Sequence, residues 1–383
     1  MRIISRTILL LVFFVGAGCD FLGGEDNGES GGVEEYEDTY SYVEEDNYTS
    51  SADVEKPGAD IATIRSVQFF GDKVGGKFLT YLAHVLGQSI SGMPTHFVKN
   101  VEVENLTNEE QSLVLTAQLQ GYSELGTKVI TVPALSTESF HIDVSFDFSQ
   151  LYSVTSPVAA VAEVRLQRKN GDLIDVESRT LQVQSKNAVF WEMENGDGEV
   201  ADFRASVVTL VTPQDKDNAI EQLITEAGQL MTSGSMVGYQ LGTEESVIEQ
   251  AAALYEALKL RGTIYTHVPG SFFNGSQNVK LPAESLSTGS QNCVDGTLVF
   301  ASAFEALGMR PLIIFKPGHA YVAVLLGPQS DYALFIETTV VSSKSAEEAM
   351  LLGQEEFEEF EEQTWLLVDV VAARSEGLLP MNL

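Results

Sequence analysis

One stretch, Ser290 to Thr339 (SQNCVDGTLVFASAFEALGMRPLIIFKPGHAYVAVLLGPQSDYALFIETT), constrains the fold more than any other part of the chain. From Cys293 to Leu307 it is apolar nearly all round, with Leu298, Phe300, Ala301, Phe304 and Leu307, and Gly308 closes it. A helix without a polar face has to be buried between other layers. Ser290 or Asn292 suits its N-cap. The residues that follow are apolar as well. LIIF (312–315) reads as a strand, Lys316-Pro317-Gly318 as a turn, and His319 opens a second strand, AYVAVLL. A tight loop over Gly327 to Asp331 then leads to a return strand from Tyr332 to Glu337. A buried helix laid on antiparallel strands is the unit expected, which makes the surrounding domain α+β.

This unit also gathers the residue types of an activated nucleophile. Cys293 falls in the first helical turn, where unpaired backbone N–H groups and the helix dipole favour a thiolate. The same N–H groups suit an oxyanion, and Gln291 and Asn292 are candidate donors beside them. With the loop centred on Pro328, His319 and Glu337 lie nine residues either side of it. In an antiparallel pair they are then opposite one another on one face, and a two-residue slip keeps them diagonal neighbours there. A one-residue slip separates them. Glu337 would orient the imidazole, and His319 would take and return the proton of Cys293. The bland alternative is a small buried cysteine with an incidental His and Glu. Asp295 reads as a helix-start residue rather than a catalytic acid. His267 lies in a loop after Tyr265 and could line the cleft. The acidic run Gln354–Glu362 reads as a solvated helix that packs Phe357 and Phe360 inward.

A helix-initial Cys, a strand-initial His and an acid on the next strand resemble the transglutaminase-like superfamily of papain-type thiol folds. NCVDGTLVFASAFEALGMRPLIIFKPGHAYV and LFIETT resemble a bacterial lipoprotein branch with Cys-x-Asp, Pro-Gly-His and Glu in place of the usual Asp. SVVTLVTP and TIYTHVP fit that branch less specifically, and the likeness covers roughly residues 200–383. It implies Cys293 as nucleophile, His319 as base and Glu337 as third member, with no metal or organic cofactor. It implies a thiol acyl-transfer enzyme acting on a protein, peptide or cell-wall peptide by transamidation or hydrolysis. The rival is a surface-tethered binding or scaffold lipoprotein that keeps the fold without turnover.

Upstream, the texture from about His96 to Ser185 changes to period-two alternation. Leu113, Leu115, Ala117 and Leu119 form an every-second-residue set, followed by KVITVPAL, SFHIDVSF, VAAVAEVRLQR and LIDVESRTLQVQ. Asn170-Gly171 between two such runs is a hairpin signal. Short strands at 8–12-residue intervals without a helix argue an immunoglobulin-like β-sandwich over 96–190. Residues 59–95 hold a helix-compatible patch (KFLTYLAHVL) without a clear place. SVVTLVTP reads as a strand stopped by Pro213. Asp215–Met231 and Glu244–Leu260 read as amphipathic helices, and 262–286 as irregular loop. The fold class expected is therefore α+β, an N-terminal Ig-like sandwich followed by a transglutaminase-like/papain-like domain over 200–383.

The N-terminus reads as an address. Arg2 and Arg6 flank an apolar run, ILLLVFFV, too short for a span of about 20 residues, and small residues lead to Cys19. Residues 1–18 are expected to be a signal peptide. Small residues before Cys19 resemble the bacterial lipobox, whose cysteine takes a diacylglyceryl group, although Gly16 stands where that pattern prefers a larger aliphatic. Asp20 resembles an inner-membrane retention signal, and the leaflet stays open. The site implied is the bacterial cell envelope, lipid-anchored on either membrane or the cell surface. Asp20 to Lys56 carries thirteen acidic residues against one base, the composition of a disordered tether over 19–58. Across the chain 55 acidic side chains face 22 basic ones, a net charge of −33 that repels phosphate backbones and argues against nucleic-acid binding. The two cysteines, Cys19 and Cys293, make no disulfide framework. The histidines (His84, His96, His141, His267, His319) are scattered, without zinc-ligand spacing.

Overall fold

The computed structural model describes residues 60–88, 96–194, 200–267, 276–360 and 364–381. The signal sequence, Cys19 and the acidic tether lie outside the described residues. The chain is a mixed α+β protein with two larger sheets in the first half, one of them carrying a short parallel edge strand, one four-stranded antiparallel sheet in the second, and three two-stranded pairs.

In the first half a three-stranded sheet orders Ala62–Phe69, Val98–Asn105 and Thr137–Ile142. A five-stranded sheet orders Lys77–Phe78, Leu173–Val183, Val158–Gln167, Gln111–Leu119 and Gly126–Val132. Their alternating apolar residues, among them Ile64, Val101, Leu115, Val164 and Leu181, enter one continuous core. Thr63 Oγ1 and the Ile64 N–H both donate to the buried Asp175 carboxylate at 2.8 Å, which stitches the sheets across that core. The expected hairpin is present, and Val158–Gln167 pairs with Leu173–Val183 around Gly171 at φ 95°.

Four local expectations are corrected. The described residues 60–88 contribute two strands to these sheets. Ala62–Phe69 is a strand whose alternation is hidden by register shifts at Ile64/Ser66 and Ser66/Gln68, and the KFLTYLAHVL patch is a two-residue strand followed by a 3₁₀ helix, Thr80–Val85. SVVTLVTP is not a strand. Arg204–Leu210 is a 3₁₀ helix in which Ser206 Oγ donates to the Phe203 carbonyl at 2.6 Å and Thr209 Oγ1 to that of Ser206 at 2.8 Å. These bonds back onto the i−3 carbonyl override the β-branched propensity. The 262–286 stretch contains the start of a helix, Pro282–Thr288, with proline at its first position and the Leu281 N–H capped by Glu284 at 3.0 Å. A short helix, Phe148–Tyr152, also interrupts the strands, capped by Asp147.

In the second half, helices Ala219–Leu230, Glu244–Leu260 and Cys293–Ala306 pack beside a four-stranded antiparallel sheet. Its order is Ala333–Ile336, His319–Leu325, Pro311–Lys316 and Leu366–Asp369. Ile313, Phe315, Val322, Val324 and Ile336 share the core of the Cys293 helix. Leu312, Ile314, Tyr321, Ala323 and Phe335 form a second cluster on the other face, covered by Phe357 and Trp365. Cover on both faces explains why these strands read as unbroken apolar runs. Trp191 packs on Phe315 with ring centroids 5.7 Å apart, which joins the two halves of the chain through the core. Among the described residues no helix is long and apolar enough to cross a membrane.

Candidate active site

The Cys293 helix begins where the sequence places it, and the reason is local. Asn292 Oδ1 accepts from the Asp295 N–H at 2.9 Å, and Asp295 Oδ2 accepts from the Asn292 N–H at 3.1 Å, a reciprocal capping box. The other Asp295 oxygen accepts from the Lys280 N–H at 2.8 Å. Asp295 is thus a structural helix-start residue. Burial raises its pKa, against the Asn292 and Lys280 N–H groups, which lower it. The cap consumes the Asp295 N–H and leaves those of Cys293 and Val294 without an intrahelical acceptor. Cys293 itself is a free thiol and 7 % exposed.

His319 and Glu337 arrive on neighbouring strands. Val322 pairs with Ile336 and Leu325 with Ala333, and the loop closes with the Leu326 N–H on the Tyr332 carbonyl. The hairpin is therefore centred one residue beyond Pro328, so the two residues are diagonal rather than directly opposite, on the same face. His319 Nε2 lies 2.7 Å from Glu337 Oε2. Cys293 stands close enough to the ring to raise its pKa. All three expected residues are brought together.

The carboxylate is fixed from several directions. Glu337 Oε1 accepts from the Thr339 N–H at 2.8 Å and from Thr339 Oγ1 at 2.5 Å. The Glu337 backbone N–H donates to the Ala349 carbonyl at 3.0 Å. That bond is possible because helix Ala346–Glu358 approaches the strand at Gly353, where an added Cβ would fall 2.8 Å from the Ile336 nitrogen. For His319, burial acts to lower the pKa. Interactions with Cys293 and Glu337 outweigh it and push the imidazole up to about 10. For Glu337, burial acts to raise the pKa, yet the His319 bond and charge and the two Thr339 bonds hold it below the usual carboxylate range. The arrangement favours an imidazolium beside the Glu337 carboxylate.

The proposed oxyanion donors are present in different ways. The Gln291 side chain is buried and its Nε2 has no hydrogen-bond partner. It lies against Gly296, one turn along from Cys293 on the same helix face, where a Cβ would come within 2.9 Å of Nε2. Asn292 Nδ2 is also buried and unpartnered, but the other end of that amide is the helix cap. Thr338 Oγ1, a third buried polar group without a partner, converges on Gly296 from the Glu337 side.

Tyr265 lines the site. Strand Ile264–Tyr265 pairs in parallel with Ser290–Gln291, setting Tyr265 beside Gln291. Burial raises its phenol's pKa, and Cys293 and Glu337 add to the rise. His267 is exposed and joins no interaction of the triad. Glu356 was hidden in the sequence within an acidic run read as a solvated face. It pairs with Lys316 at 2.7 Å and reaches to 3.9 Å from His319 Nε2, so the acidic helix contributes one side chain to the rim. Thr338 and Thr339 were also missed, and the only trace of them in the sequence is that they directly follow Glu337.

No family model matches the chain, and no curated protein matches it. Among solved structures, the exo-chitosanase CsxA of Amycolatopsis orientalis aligns at 11 % identity with a TM-score of 0.20. The alignment covers 55 % of this chain and only 28 % of the chitosanase chain. A superposition of that quality bears on neither fold nor activity.

Proposed function

We propose that the protein is a thiol acyl-transfer enzyme with Cys293 as nucleophile, His319 as proton carrier and Glu337 as its orienting partner. The observation that carries the reading is the 2.7 Å contact of His319 Nε2 with Glu337 Oε2, on a ring whose pKa is raised by neighbouring Cys293. The His319 imidazolium pairs with the sulfur anion as Cys293 attacks. Sγ bonds to the carbon of a carboxamide or peptide carbonyl. The C–N bond breaks as His319 gives its proton to the departing amine, leaving a thioester. Neutral His319 then takes a proton from water or an incoming amine, whose oxygen or nitrogen bonds the acyl carbon while the C–S bond breaks. Cys293 leaves as thiolate and the imidazolium is restored. The Cys293 N–H and Gln291 Nε2 are suited to hold the oxyanion of each tetrahedral stage.

In this reading the second half of the chain is a transglutaminase-like, papain-type domain and the first half an Ig-like sandwich that positions it. Cys19 carries the lipid that holds the enzyme at the bacterial cell envelope, and the substrate is a protein, peptide or cell-wall peptide. Iodoacetamide labelling of the thiol provides the test, with a glutamine peptide and a primary amine as the turnover assay. At neutral pH wild-type Cys293 labels faster than Cys293 in His319→Ala, and only the wild type releases ammonia from the peptide. Equal labelling rates in the two proteins overturn the triad.

A further inference from the structure

The histidines that are scattered in sequence do not stay apart in space. His96 stands just before strand Val98–Asn105, and His141 lies in the strand that pairs with it, Thr137–Ile142. The two rings stack with centroids 4.4 Å apart and an interplanar angle of 25°. Asp143 follows immediately, and His96 Nδ1 lies 3.0 and 3.1 Å from its two carboxylate oxygens. One ligand atom from each of His96, His141 and Asp143 lies within 4.8 Å of the others. The cluster sits on the three-stranded sheet, in the half of the chain opposite Cys293.

Two imidazoles and one carboxylate are the donor set of borderline divalent metals, whereas calcium and magnesium take oxygen ligands. Zinc–nitrogen and zinc–oxygen bonds of about 2.0–2.2 Å place tetrahedral ligand atoms roughly 3.4 Å apart. Drawing three side chains from within 4.8 Å to that spacing needs only rotamer adjustment, and His141 and Asp143 are exposed enough to make it. One local feature opposes a cation. Lys128 Nζ donates to the His141 carbonyl at 2.9 Å, which puts a positive charge beside the cluster.

We propose that His96, His141 and Asp143 bind a divalent transition-metal ion of the zinc class, with water completing a four-coordinate shell. The ion would pin the chain entering strand Val98–Asn105 to the end of strand Thr137–Ile142. Because the unfolded chain separates these ligands, binding stabilises the fold by mass action.

The full chain, titrated calorimetrically with Zn2+ in excess Ca2+, provides the test, since calcium occupies diffuse acidic surface. One saturable zinc site is expected, with a rise in melting temperature. His141→Ala and, separately, His96→Ala should each weaken it about 10-fold or more, the scale on which metal sites respond to a lost partner. Lys128→Gln should tighten it. With Cu2+ in place of zinc, the electron paramagnetic resonance spectrum should show two imidazole nitrogens. Zinc binding unchanged in both histidine variants, or abolished by calcium, overturns the site. Loss of binding in Glu356→Gln overturns it too, because His319, Glu337 and Glu356 form the other donor cluster among the described residues.

Discussion

His319–Glu337 and His96–Asp143 are both histidine–carboxylate pairs at the entry to a strand, and their rings are comparably covered, at 18 % and 24 % exposure. The carboxylates are not. Glu337 is 4 % exposed and Asp143 is 44 % exposed. Glu337 is tied by Thr339 and by a backbone bond to Ala349, which fixes the carboxylate that orients His319 beside Cys293. Asp143 meets water, and its histidine stacks on a second histidine. A buried, immobilised carboxylate makes a histidine a proton carrier. An exposed one leaves it available as a ligand.

The largest effect expected from this difference is in stability. Glu337→Ala leaves His319 without its partner inside the protein and should cost about 3 kcal/mol, the scale of a broken buried pair. Asp143→Ala should stay within about 0.5 kcal/mol, as exposed pairs do. Urea unfolding midpoints at pH 7 measure both, and equal losses would break the distinction. Within the active site a second contrast separates two adjacent amides. Gln291→Ala should lower turnover about 100-fold, the cost of an oxyanion donor, with little change in stability. Asn292→Ala should cost about 1 kcal/mol through the lost helix cap. If instead Asn292→Ala has the larger effect on turnover, the donor has been misassigned.

His319 and His141 should also titrate with opposite signs. The His319 pKa is raised from 6.5 to about 10, so its contribution to stability is full below pH 6.5 and is lost as pH rises toward 10. Glu337 is depressed, so its contribution is present above its ordinary value of 4.5 and is lost as pH falls below it. His141 runs the other way from His319. Desolvation first, then the charges of Lys128 and His96, lower its pKa, so the unfolded chain binds more protons and stability falls as pH drops below 6.5. Imidazole proton NMR across pH 5–10 resolves the two. A His319 resonance that titrates near 6.5 would sink the imidazolium arrangement.

The sequence revealed the buried helix, its cap and the hairpin because each is a local pattern: an apolar surface, an Asx start, a turn between apolar runs. Even the exact hairpin register mattered little, since a two-residue offset leaves His319 and Glu337 on one face. What stayed hidden depends on long-range pairing. His96 and His141 meet only because strand Val98–Asn105 pairs with Thr137–Ile142, and nothing within either segment announces the other. Ala62–Phe69 escaped notice because its bulges break the period-two signal. Thr338 and Gln291 converge through Gly296, a contact between a loop, a strand end and a helix that no single pattern encodes.

The smallest effect is expected at Glu356, and it decides which acid serves His319. Both carboxylates approach His319 Nε2, Glu337 at 2.7 Å and Glu356 at 3.9 Å. Only the first is within hydrogen-bond range. Glu356 is committed elsewhere, to Lys316 at 2.7 Å, and Lys316 also lies over the Trp365 ring at 5.6 Å. Removing its charge frees the lysine more than it disturbs the imidazole. Glu356→Gln should therefore change the Cys293 labelling rate by less than about 3-fold, under the 1 kcal/mol of a partly exposed pair. A drop as large as that of His319→Ala would move the orienting role from the strand to the acidic helix.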